Sequence, residues 1–525
     1  MVRKQNPPNL ASPRRVSRTA EQKPTPRERR MAKRLKARFA PRRGWGGQFG
    51  GLVPVEDSGT IYTGPTSQAA AIYPFLLGSG LPPRGVPVGR DVLTGELVCI
   101  DPSQWTGLLT VNPGVWVMSQ PGVGKSALVK RICLVYAAYG HMMCVPGDVK
   151  GEYTGLVNEL GGSVVRIGDG IGRINPLDSG PLKGRAVSLA PARRQALLDV
   201  LNSRRQETLV ALLSTNHGLG RAPDEIERSA LDTAVQVASA GQTPGSDPIV
   251  SDVALVLRTA PEELRAKLAA EGTRYQDLTR SVIAGLDNLV GGPLKGLFDG
   301  QTTTPLDISA SAVSVDISAL RARGNDVVSA GMIATWAYTY SALDSARSLG
   351  LVDRKLVLPM DEMWRALRSG PGLVDAMDAI SRLNRVHGDV TIYVTHSLLD
   401  VEALPTETDR AKARGLMDRC DTWVIGASSE EELGRVTGKR TLTEQERTMI
   451  GSWSSATSTG LDVAPADEDG AAPADVGRRH PGRGKYLIKV GARPGIAAAL
   501  ELTATERRLY HTDSNRRPAR GEVSV

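Results

Sequence analysis

The chain has 525 residues, 41% of them hydrophobic and only 4% aromatic, so it can bury a large core, and its length suggests roughly two to four domains. Its net charge of +9 is concentrated at one end: residues 1–43 hold 15 Lys/Arg and 2 Asp/Glu, and the remainder, with 50 basic and 54 acidic residues, is slightly acidic. The high isoelectric point therefore gives no ground for reading the globular body as a nucleic-acid binder.

Cys99, Cys133, Cys144 and Cys420 form no C-x-x-C pair, which argues against a disulfide framework or a zinc site and for a reduced, cytoplasmic setting. No apolar run reaches the roughly 18–20 residues that span a bilayer. The best candidate, "AAAIYPFLLGSGL" (69–81), is broken by Pro74. The amino terminus lacks a signal-peptide apolar core, so a soluble chain is expected.

Residues 1–50, rich in Arg, Pro and Gly, are expected to form a disordered basic tail. Within it Met31, Leu35 and Phe39 fall four apart among basic residues, before Pro41. Two readings stand: a short basic amphipathic helix suited to an anionic surface, whether membrane or DNA, or a plain solvated tail. Residues 51–108 read as a small segment leading into the core. In the first half of the core, 109–185, "GVWVM" (114–118), "HMMCV" (141–145) and "SVVRI" (163–167) are expected strands and 125–139 a helix. Strands alternating with helices imply a parallel sheet covered on both faces.

Residues 186–300 change character: apolar residues recur at helical spacing with no convincing strand, predicting an all-helical insertion. Alternation returns over 301–458. "SAVSVDI" (311–317), "KLVLPMDE" (355–362), "VTIYVT" (390–395) and "TWVIGA" (422–427) are expected strands, with helices over 326–347 and about 372–386. A flexible loop over 459–482 and strands within 483–512, "KYLIKVG" and "IAAALEL", are expected to follow, the strands returning to the sheet edge, and 513–525 is a tail.

The stretch "VMSQPGVGKSALVKR" (117–131) carries the first chemical signal. A strand, a glycine-rich turn and a helix starting at Lys125-Ser126 match a phosphate-binding loop, whose backbone N–H groups surround anionic oxygens. The candidate nucleotide-binding residues are Ser119, Gly122, Val123, Gly124, Lys125, Ser126 and Ala127. Lys125 would reach the β/γ-phosphates of ATP and Ser126 would ligate Mg²⁺. The pattern asks for glycine where Ser119 stands, at the strand exit, where a small residue suffices; the competing reading is a glycine-rich turn with a surface lysine.

The second signal is Asp361-Glu362 at the end of an apolar strand. An NTPase needs one acid for Mg²⁺, the role of Asp361, and one to polarise the attacking water, the role of Glu362. Thr395 and His396 end the strand expected beside it, either as sensors of the γ-phosphate or as strand-end caps. Arg382 and Arg385 precede that strand, either as surface arginines or as groups that reach a neighbouring subunit's nucleotide. His and Cys nowhere cluster with metal-ligand spacing.

"GDVKGEY" (147–153), "INPLD" (174–178), "GLFDGQT" (296–302), "DEMW" (361–364), "NRVHGDVTIYVTHS" (384–397) and "KYLIKVG" (485–491) occur in that order. Together they resemble the cytoplasmic motor ATPases of conjugative type IV secretion systems, in the FtsK/HerA superfamily, over roughly residues 85–510. The resemblance implies a RecA-like P-loop NTPase core of α/β class with a parallel-rich sheet and an all-helical insertion. It implies ATP and Mg²⁺ as cofactors, Arg385 as the trans-acting arginine, a homo-hexamer, and channel components of the inner membrane as partners. A DNA translocase or helicase of the same superfamily, and a non-hydrolysing nucleotide-bound scaffold, are the alternatives. Two departures stand out: Ser119 for glycine, and Thr395-His396 where the family usually has Thr-Gln. The large amino-terminal domain common in the family is replaced here by the short segment and basic tail, so docking to a membrane channel, peripheral at the inner face of the membrane, would use either the tail or a separate protein.

Overall fold

The computed structural model describes residues 81–182, 188–243, 246–370, 374, 387–454 and 481–510. The basic tail, the helix expected over 372–386 with Arg382 and Arg385, the 459–480 loop and the carboxy-terminal tail lie outside the described residues.

Among the described residues, eleven strands form one sheet in the order β2-β1-β11-β10-β9-β3-β8-β7-β4-β6-β5. They are β1 (Val86–Asp91), β2 (Leu97–Ile100), β3 (Val115–Met118), β4 (Met142–Asp148), β5 (Ser163–Arg166), β6 (Ala312–Asp316), β7 (Leu356–Met360), β8 (Val390–Thr395), β9 (Thr422–Ile425), β10 (Lys485–Val490) and β11 (Ile496–Leu500). From β9 to β5 every pairing is parallel; β10, β11, β1 and β2 add on antiparallel. Among the helices are α1 (Lys125–Ala138), then α2 (Pro191–Ser214), α3 (Glu225–Ala240), α4 (Val250–Thr259), α5 (Glu262–Leu268) and α6 (Gly272–Val290), and α7 (Asn325–Ser348). Between α2 and α6 no strand occurs among the described residues. No described helix is long and apolar enough to cross a membrane.

Strand β3 shows how the sequence makes the sheet. Because successive side chains point to opposite faces, Val115 and Val117 join the core under α1 while Trp116 and Met118 join the core on the other face. Trp116 stacks on Trp423 of β9 with ring centroids 5.7 Å apart and meets Trp364 edge-on at 5.6 Å. A strand apolar on both faces is what a buried parallel sheet requires.

The late strands β10 and β11 do not end the sheet, as the sequence suggested; they lie inside it, and β2 forms its edge. The β1–β2 hairpin, unrecognised in the 51–108 segment, closes that side. Its alternation is blurred by Pro87 and Gly89, and the ladder shifts register between them. Gly89 is there for close approach: a Cβ would lie 1.8 Å from the Ala499 carbonyl oxygen on β11.

Two of the sequence motifs prove to be joints to the helical block. Asn175 of "INPLD" is fully buried and donates through Nδ2 to the Pro248 carbonyl at 3.0 Å. Gln301 of "GLFDGQT" donates to the Asp247 carbonyl at 2.6 Å. Arg205 of α2, 5% exposed, donates to the Leu177 carbonyl at 2.8 Å and pairs with the equally buried Asp247. Removing one member of such a pair strands the other in a low-dielectric interior. Arg205→Met is therefore expected to cost about 3 kcal/mol of stability in a chemical-denaturation series; a loss below about 1 kcal/mol would place the pair among the weak surface bridges.

Candidate functional site

The carboxyl ends of β9, β3, β8, β7 and β4 point the same way, and the chemistry-bearing residues follow directly after them. In open α/β sheets this rim is where ligands bind.

After β3 the chain runs through Ser119–Gly124 into α1. Gly124 is at φ +105°, a left-handed conformation that glycine adopts without steric cost. Val123 is buried, and its carbonyl accepts from the Gly484 N–H at 2.8 Å, just before β10. Gln120 N–H donates to the Ala427 carbonyl at 2.9 Å. The loop is thus braced by the chain on both sides of the antiparallel addition. Gly122 is exposed, while Ser126 and Ala127 open α1 half-buried.

Ser119 is completely buried, and its side chain occupies space left by Gly426 after β9: a Cβ at 426 would lie 2.6 Å from Ser119 Cβ. The departure from glycine at 119 is accommodated by a glycine on the neighbouring strand end.

Lys125 is 7% exposed. Its ammonium donates to the Ser119 carbonyl at 2.5 Å and the Gln120 carbonyl at 2.9 Å, and lies 2.8 Å from His396 Nδ1. An ammonium has only donors, so Nδ1 is the acceptor and the imidazole proton sits on Nε2. Burial lowers the Lys125 pKa to about 8, which still leaves it charged at neutral pH.

Asp361 and Glu362 follow β7. Burial, reinforced by the neighbouring Glu362 charge, raises Asp361 from its ordinary 3.8 to about 6. Glu362 sits at φ +56°, a left-handed conformation costing a non-glycine residue about 1–2 kcal/mol. Such strain is retained where function demands it. Glu362 Oε1 is 2.8 Å from Lys150 Nζ and 3.9 Å from His396 Nε2. His396 and Lys150 together hold its carboxyl well below the usual range, and of the two only the lysine is at hydrogen-bond distance.

Thr395 is buried at the end of β8, with Oγ1 2.6 Å from Asp400 Oδ2 and 2.9 Å from the Ser397 carbonyl. Its hydroxyl is engaged at the strand end, and the group that faces Lys125 belongs to the next residue, His396. The structure therefore gathers Lys125, His396, Asp361 and Glu362. Sequence reasoning gave Lys150 no partner; the contact depends on β4 lying beside β7, which local pattern does not encode. Lys130, one turn along α1, is fully buried between the rings of Tyr153 and Tyr510, at 5.6 and 5.8 Å, and ties that helix to the "GDVKGEY" loop.

No protein-family model matches the chain, and no curated protein matches it significantly. Among solved structures, VirB4 of Thermoanaerobacter pseudethanolicus is similar with a TM-score of 0.58 and 20% identity, over 82% of this chain and 99% of that one. The bacterial conjugative coupling protein TrwBΔN70 is similar at 0.47 and 10%, over 88% and 96%. TrwB in complex with ADP and Mg²⁺ is similar at 0.45 and 11%, over 74% and 85%. With VirB4 the likeness extends through the whole of the other chain, and the fold is that of a RecA-like P-loop NTPase with a large, mostly parallel sheet.

Two outcomes follow from this geometry. Gly426→Ala should lower the thermal midpoint by several degrees, and adding Ser119→Gly should recover most of the loss; an additive double variant would contradict the packing described. For Asp361, the native state binds the proton more tightly than the unfolded chain does. The stability this contributes is complete below about pH 4 and lost as pH rises through about 6. Asp361→Asn should therefore gain on the wild type in melting temperature between pH 4 and 6, measured without nucleotide, and the gap should level off above that.

Proposed function

We propose that the chain is a Mg²⁺-dependent ATPase, the cytoplasmic motor of a conjugation or type IV secretion-like envelope channel, working as a ring of identical subunits. The observation that carries this reading is the convergence of Lys125, His396, Asp361 and Glu362 on one phosphate-type loop in a fold shared with VirB4. The ordered motifs supply the secretion-motor part of the reading.

The residues fit the nucleotide. The amino terminus of α1 offers backbone N–H groups and a positive dipole end to phosphate oxygens. All three donors of Lys125 are held by protein acceptors, two of them backbone carbonyls. A phosphate oxygen reaching Lys125 therefore displaces His396, the one acceptor that can swing away. His396 thus reports phosphate arrival to Glu362, which its Nε2–H faces. Glu362, kept ionised with the Lys150 ammonium beside it, accepts a hydrogen bond from the attacking water and orients it.

The oxygens of Ser126 and Asp361 are the donor set a hard divalent cation takes, and the cation would neutralise charge developing on the β/γ-phosphates. Arg385 is assigned the stabilisation of the neighbouring subunit's transition state. The helical block over 186–300 is assigned as a separate insertion domain on the motor core.

Turnover of MgATP by the purified full chain should fall at least about 100-fold in both Lys125→Ala and Glu362→Gln, the scale of losing a transition-state contact. EDTA should abolish it. Turnover unchanged by Glu362→Gln would remove the hydrolytic reading. The basic tail favours a second one, a DNA translocase; strong stimulation by DNA that survives deletion of residues 1–43 would select it.

A further inference from the structure

We propose that Lys150 is the positioning residue for the water-polarising carboxylate: held on a loop clamped by Asp148, it fixes the side chain of Glu362 beside His396. The inference rests on the role given to Glu362 above.

Glu362 leaves β7 in a left-handed turn, and its peptide N–H is already bonded to Asp361 Oδ1 at 3.0 Å. Among the described residues, the direct hydrogen-bonding contact to its carboxylate is from Lys150 Nζ, at 2.8 Å. Oε1 is thereby anchored, and Oε2 is the oxygen that accepts from a water. A free glutamate has three rotatable side-chain bonds, and a misplacement of about 1 Å at a reacting group costs on the order of 100-fold in rate. Something must hold this one.

Lys150 can do so because its own backbone is fixed. Asp148 ends β4, is 4% exposed, and its carboxylate accepts three loop donors: Lys150 N–H at 3.2 Å, Glu152 N–H at 3.1 Å and Tyr153 N–H at 2.8 Å. Tyr153 is buried against Lys130 of α1. Strands β4 and β7 are neighbours, so the lysine arm spans one strand spacing to reach Glu362. A loop held by a buried carboxylate makes Lys150 a fixed strut rather than a mobile latch, and this sets the sign of the expected effect.

The test uses the full chain, steady-state MgATP turnover and thermal melts. Lys150→Met should lower kcat about 100-fold while KM for ATP stays within about twofold. Lys150→Arg, which keeps the charge and the hydrogen bond, should retain at least about a tenth of wild-type kcat. Asp148→Asn should lower kcat in the same sense with Lys150 still present. In melts, Lys150→Met should lower the midpoint in the wild-type background and have little effect in a Glu362→Gln background. If Glu362→Gln abolishes turnover but Lys150→Met leaves it unchanged or raises it, the positioning role is overturned and the role of Glu362 stands. If Glu362→Gln has no effect on turnover, both fall. Additive melting shifts for the two substitutions also overturn the proposal, because the contact is then not formed in solution.

Discussion

A buried ammonium organises this site. Lys125 carries its charge at 7% exposure, which is tolerable only because three acceptors converge on it. Two are carbonyls of the phosphate-type loop itself, so the loop must hold a fixed curl. That curl depends on distant parts of the chain: Ala427 takes the Gln120 N–H, Gly484 donates to the Val123 carbonyl, and Gly426 makes room for Ser119. The antiparallel strands at the carboxyl end of the chain are therefore part of the site's construction.

The strand order then sets the chemistry. β3, β8, β7 and β4 are consecutive neighbours about 4.8 Å apart; β8, β7 and β4 each deliver a charged or polar group within two residues of their ends, and β3 delivers one across its loop at the start of α1. Across the rim these read Lys125, His396, Glu362 and Lys150, with contacts of 2.8, 3.9 and 2.8 Å between successive members. Cation, imidazole, carboxylate and cation alternate so that each neighbour stabilises the next. The neutral imidazole in the middle is the member whose bonding can change at low cost, since rotating one ring is easier than moving a strand. In the proposed mechanism, a change at Lys125 would pass to the carboxylate without any large motion.

Much of this was legible in the sequence, for reasons that can be named. The apolar runs of β3, β4, β6, β7 and β8 are buried on both faces and stand out, and the helical spacing of α2 to α6 is equally plain. Lys125, Asp361, Glu362 and His396 were found because each sits at an expected strand or helix boundary. Hairpin β1–β2 was missed because Pro87 and Gly89 interrupt its pattern, and the interior position of β10 and β11 was missed because strand order is a tertiary fact. The Ser119–Gly426 complement and the Lys150–Glu362 contact join strand ends far apart in the chain, so no local window contains them.

The most direct test of the account follows the histidine. With six histidines in the chain, a ¹⁵N-histidine-labelled sample gives a spectrum in which His396 is assigned by its loss in His396→Gln. Titration with a non-hydrolysable ATP analogue and Mg²⁺ should shift the His396 Nδ1 resonance saturably, as Lys125 leaves it for phosphate. Nucleotide binding that leaves this resonance where it was would contradict the central claim that Lys125 and His396 part when the phosphate arrives.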